Sequence, residues 1–157
     1  MQCQFNFRSV FFATLLLLAG AIPAQAADTD AEQSKPSEYD FNVTSANKDK
    51  THPYYGQGDG MGFVVNGVHG KTLELVRGKT YTFNVDTGVM HDFYLAKKPV
   101  GWGKGALTEG VQGNYTYKGV LTFKPTADTP DLVYYVCRNH KFMGGEIRIV
   151  NSAKAGK

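Results

Sequence analysis

The sequence predicts an all-β domain, an antiparallel Greek-key sandwich of seven or eight strands. Three observations carry that prediction. Apolar and polar residues alternate along many short runs rich in Val, Tyr, Phe and Thr. Glycine, proline, asparagine or aspartate punctuates those runs. Beyond the first 26 residues no segment keeps a helical period.

The runs fall at residues 39–43, 62–65, 73–76, 81–85, 92–95, 115–123, 133–136 and 146–150. In LELVRGKTYTF the alternation breaks only at Arg77, Gly78 and Lys79, which reads as two strands joined by a tight turn. Two long loops stand apart from the strands. Residues 50–60 (KTHPYYGQGDG) are rich in glycine and tyrosine, and residues 97–113 carry Trp102 among glycines. Loops of that length in a compact domain are usually functional.

The N-terminus reads as an address. Arg8 precedes an apolar run, VFFATLLLLAG, that is short for a bilayer span, and Ala24-Gln25-Ala26 follows as a cleavage site. Residues 1–26 are therefore expected to be a signal peptide and 27–38 a polar flexible leader. The folded domain is expected at 39–151 and a flexible tail at 152–157. The expected location is the periplasm, with no membrane span in the mature protein, which is expected to be a monomer.

Composition narrows the function. A formal net charge of +3, one unit of it from Arg8, gives no basic stripe for nucleic acid. Lys97, Lys98, Lys104 and Lys141 make at most a local basic area. No phosphate-binding glycine loop, catalytic triad spacing or internal repeat occurs.

The two cysteines are Cys3 and Cys137, and removal of the signal leaves Cys137 alone. A lone thiol in an oxidising compartment is vulnerable unless something occupies it. Cys137 opens the sequence CRNHKFM, in which His140 and Met143 follow at equal three-residue intervals at the end of a strand-like run. Thiolate, imidazole and thioether together suit copper cycling between two oxidation states. A second nitrogen is available upstream in His91. Zinc would also accept a cysteine and two histidines, although methionine suits it poorly.

With those residues in place, the stretch 62–150 resembles the cupredoxins, with ligand spacing like that of the amicyanins. The resemblance implies a type 1 copper held by His91, Cys137 and His140, with Met143 as the axial thioether. It implies electron transfer to a periplasmic redox partner through the edge of His140, with Phe142 in an apolar docking patch. Many cupredoxins pair an amide side chain after the first histidine with a hydroxyl after the cysteine. This chain has Asp92 and Arg138 there, and a salt bridge between the ligand strands is expected instead.

A second reading is a copper-tolerance protein that binds and oxidises cuprous ion, similar to secreted cupredoxins made under copper stress. It would use a second copper site drawn from His52, Met61, His69 and Met90. A third reading is a metal-free interaction module with Tyr54, Tyr55, Tyr115 and Tyr117 as its face, which leaves the lone thiol unexplained. Multicopper oxidase chemistry on organic substrates is not expected, since its trinuclear cluster needs many His-x-His pairs and the sequence has none.

Overall fold

The computed structural model describes residues 37–152. The expected signal peptide, nearly all of the expected leader and residues 153–157 lie outside the described residues. Ten strands and no helix make up the described part. They are β1 (Phe41–Asn47), β2 (Met61–Val65), β3 (Val68–His69), β4 (Leu73–Val76) and β5 (Tyr81–Asp86), then β6 (Phe93–Ala96), β7 (Val111–Gln112), β8 (Lys118–Phe123), β9 (Leu132–Cys137) and β10 (Gly145–Val150).

One sheet has the order β3-β2-β1-β5-β8-β7 and the other β4-β10-β9-β6. Both are mixed rather than purely antiparallel, because β1 pairs parallel to β5 and β4 parallel to β10. The strand alternation expected from the sequence packs the sheets together. Val43, Phe63, Val65, Phe83, Val85, Leu121 and Phe123 from one sheet meet Leu73, Leu75, Phe93, Leu95, Val133, Tyr135, Ile147 and Ile149 from the other. Each fully buried Phe or Leu contributes roughly 1.5–3 kcal/mol. Phe93 is central, with ring centroids 5.3 Å from Phe63 and 5.8 Å from both Phe83 and Tyr135.

The expected turn at Arg77, Gly78 and Lys79 is not a hairpin. β4 and β5 belong to different sheets, so this segment is a corner that crosses the sandwich. Arg77 anchors it. Its guanidinium donates to the carbonyls of Thr126 (2.6 Å) and Thr129 (2.7 Å) and to the Asp131 carboxylate, while its backbone N–H donates to Val150 O. Alternation alone cannot separate the two arrangements, since Leu75 and Phe83 face inward in either.

Strand β6 is buried on both faces. Its outer face, Tyr94 and Ala96, packs with Val136 and with Ala106 and Tyr134. The 97–113 loop therefore covers this sheet. The run expected at 115–123 becomes a strand only from Lys118, because Tyr115 takes a left-handed backbone (φ 65°) and packs its ring against Tyr94 at 4.8 Å.

Candidate metal centre

Register brings the candidate ligands together. In the β6–β9 pair Phe93 lies opposite Cys137, and the ladder extends one step further through Arg138 N–H donating to Asp92 O at 2.9 Å. His91, two residues before Phe93, thus arrives beside the turn that follows Cys137. Asn139 closes that turn by donating from its side chain to Met90 O at 2.9 Å.

His91, Cys137 and His140 each offer one ligand atom, and these atoms lie within 4.8 Å of one another. Among the described residues no other group of three or more His, Cys, Asp and Glu ligand atoms is close enough to share an ion. Cys137 Sγ is 3.7 Å from His140 Nδ1, and the two imidazole rings are 4.9 Å apart between centroids. Cys137 is fully buried and unbridged. Met143, also fully buried, belongs to the same core cluster as Cys137 and Phe93.

The site holds unprotonated, unpartnered donors suited to a metal ion. His91 Nδ1 is buried without a hydrogen-bond partner among the described residues. Such an atom carries the full desolvation penalty unless a ligand meets it. Burial lowers the His91 pKa, and the neighbouring His140 lowers it further. Burial raises the Cys137 thiol above its ordinary value. The ring therefore favours its neutral, metal-binding form, while the thiol needs a positive charge nearby to ionise. A soft sulfur, two imidazoles and a buried thioether fit copper in its two common oxidation states.

The remaining expected residues are placed as follows. Asp92 and Arg138 come within 3.8 Å (Oδ2 to Nη1), and the Arg138 side chain is 58% exposed. Arg138 also lies over the Tyr115 ring. His52 is buried, with both ring nitrogens engaged: Nδ1 accepts from Tyr54 N–H at 3.1 Å and Nε2 bonds Met143 O at 3.2 Å. His69 Nε2 lies 3.6 Å from Asp49, and its Nδ1 is buried without a hydrogen-bond partner. Met61 packs against the core and Met90 is 59% exposed.

Phe142 is half-buried beneath Tyr54, at 5.4 Å between ring centroids. The exposed apolar groups on the chain beside the ligands are instead Val89, Met90 and Trp102, the last capped by Lys141 Nζ at 4.3 Å. Trp102 N–H donates to the Cys137 carbonyl at 2.9 Å. Of the four tyrosines of the interaction-module reading, Tyr54 packs against Phe142 and Tyr115 against Tyr94, while Tyr55, Tyr115 and Tyr117 remain exposed. Nothing in the residue pattern singles out Asp59, whose carboxylate lies 3.9 Å from His140 Nε2. Its only signal was membership of the long glycine-rich loop.

No protein-family model matches the chain. Two isoform groups of the protein Skeletor from Drosophila melanogaster, B/C and D/E, are 29% identical over 154 residues, covering 60% of this chain. The chain spans only 20% and 10% of their respective lengths. Solved structures of rusticyanin are also similar. Rusticyanin from Thiobacillus ferrooxidans is 21% identical, with 69% of this chain and 76% of that one covered and a TM-score of 0.40. A reduced rusticyanin is 22% identical, with 69% and 78% covered and a TM-score of 0.37.

Proposed function

We propose that this chain is a cupredoxin, a periplasmic type 1 copper protein that carries electrons by cycling one copper between Cu(II) and Cu(I). The carrying observation is the convergence of His91, Cys137 and His140 within 4.8 Å, with His91 Nδ1 buried and orphaned. Copper, when bound, supplies the one-electron chemistry; the chain supplies the rest. Cys137 would give up its proton to bind copper, and His91 and His140 would each offer a ring nitrogen. Phe93, Phe63 and Met143, all fully buried, keep water from the sulfur side. The His140 side chain remains 27% exposed and offers an edge to a redox partner. Residues 1–26 and the lone mature thiol support the periplasmic assignment, and no helix among the described residues is long and apolar enough to cross a membrane.

The test is a copper titration of the purified protein. One equivalent should produce an intense visible thiolate-to-copper band that bleaches and returns with one electron. A colourless complex, or a band that survives Cys137→Ser, would overturn the proposal.

A second reading treats copper ions as cargo: a copper-tolerance protein that binds and oxidises cuprous ion. Two observations favour it, the exposure of Met90 beside His91 and the orphaned Nδ1 of His69, whose Nε2 faces Asp49. Of the four residues expected to form a second site, His52 would have to surrender its hydrogen bonds to join. Two or more coppers per chain, with oxygen uptake on addition of cuprous ion, would establish this reading over the first.

A further inference from the structure

The turn carrying His140 and Met143 is gripped along its length by the loop that joins β1 to β2. Four consecutive residues are each met by a residue of that loop. Asp59 Oδ2 lies 3.9 Å from His140 Nε2, and Asp59 N–H donates to Lys141 O at 3.1 Å. The Tyr54 ring packs on Phe142, which takes a left-handed backbone (φ 58°) that a bulky side chain rarely adopts. His52 reaches Met143 O.

His52 is the best defined of these contacts. Tyr54 N–H donates to Nδ1, so in the neutral ring the proton resides on Nε2, which donates to Met143 O. The same carbonyl also accepts Phe63 N–H at 2.6 Å. The ring sits where two glycines leave room for it. A Cβ on Gly62 would come within 2.6 Å of the imidazole, and one on Gly70 within 3.1 Å. The loop is braced in turn by Lys48, whose Nζ donates to Gln57 O (2.6 Å) and Tyr54 O (3.2 Å) and whose N–H donates to Gly60 O.

Resting on the copper reading above, we propose that His52 is a positioning residue that fixes the Met143 backbone, and with it the thioether that would face the copper, through a tautomer imposed by the 48–60 loop. It touches no metal. It acts by holding the carbonyl of the residue whose side chain would close the site, in the way that outer hydrogen bonds orient ligands in other metal sites. A histidine that merely filled space would be replaceable by any side chain of similar size. A positioning histidine is replaceable only by one that donates from the same place.

Three variants separate these cases. His52→Gln puts an amide N–H near the Nε2 position, His52→Asn reaches Tyr54 N–H but falls short of Met143 O, and His52→Leu removes both bonds. Two readouts are taken: the ratio of the visible thiolate-to-copper bands with copper affinity, and, in copper-free protein, exchange of the Asp59 and Phe142 amide hydrogens. The expected result is a changed band ratio and a copper affinity roughly tenfold weaker for Asn and Leu. Amide exchange should be at least about tenfold faster in both, with Gln close to wild type in every measurement. Equal spectra, affinity and exchange across the folded variants would overturn the proposal, and so would Gln behaving like Leu. Should Leu fail to fold, the Asn and Gln pair decides alone. A wild-type protein without a visible band sinks the copper reading, while the exchange data still judge the role of His52.

Discussion

The orphaned nitrogen of His91 should make the copper-free protein less stable than it could be. Replacing His91 with Leu removes a buried polar atom that has no partner and keeps a side chain of similar bulk. An unsatisfied buried group costs about 1–3 kcal/mol, and because His91 is only half-buried as a residue, the lower end applies. Copper-free His91→Leu should therefore be about 1 kcal/mol more stable than wild type, raising Tm by roughly 4 °C. Copper should reverse the order. At a free concentration of 100 times Kd a ligand adds about 2.7 kcal/mol to wild type, and a variant lacking one of the three donors should gain far less. Urea and thermal unfolding of both proteins, each with and without copper, give all four numbers. The reasoning is refuted if the copper-free variant is the less stable, or if copper stabilises both proteins equally.

Three further outcomes follow from the same geometry. The Asp92–Arg138 pair is long at 3.8 Å and half in solvent, so Asp92→Asn should cost under about 1 kcal/mol, less still in high salt, as read from urea midpoints; a loss above about 2 kcal/mol would contradict this. Arg77→Lys keeps the charge but loses the fork that holds two carbonyls and Asp131 at the sheet corner, and should cost at least about 2 kcal/mol by the same assay; near-neutral behaviour would mean the corner is held elsewhere. Burial raises the Tyr94 phenol to about 12 and pushes Tyr135 higher still. Unfolded phenols ionise from about pH 10 while these remain protonated, so their stability contribution is complete below pH 10 and declines above it, by up to about 1.4 kcal/mol per pH unit for each. Tyr135→Phe should lose about 1 kcal/mol at pH 7 with the bond to Lys71 O, and show a shallower alkaline decline; an unchanged slope would contradict the shift.

Much of the fold was legible because inward-facing residues alternate so regularly. The run 73–76 matches β4 at both ends, and five others lie within a residue or two of theirs. The arrangement of strands was less legible. Leu75 and Phe83 point into the same core whether Arg77 begins a hairpin or a corner, and what separates the two is the pairing of β4 with β10 and of β5 with β1 and β8, partners distant in the sequence. β3 and β7 are two residues each, too short for alternation to register. At the candidate centre, equal spacing and the lone thiol pointed to Cys137 and His140 directly, and His91 followed from donor chemistry. The part played by His52 could not be read that way. Its partner carbonyl lies 91 residues on, and a histidine in a tyrosine-rich loop looks the same whether it ligates or braces.

The central claim is that a single copper sits among His91, Cys137 and His140. X-ray absorption at the copper edge of the loaded protein tests it most directly. One short sulfur and two imidazole nitrogens around each copper is the expected result, with the sulfur lost in Cys137→Ser and one imidazole lost in His91→Leu. A first shell of oxygen and nitrogen alone, or one unaltered by either substitution, would contradict the account.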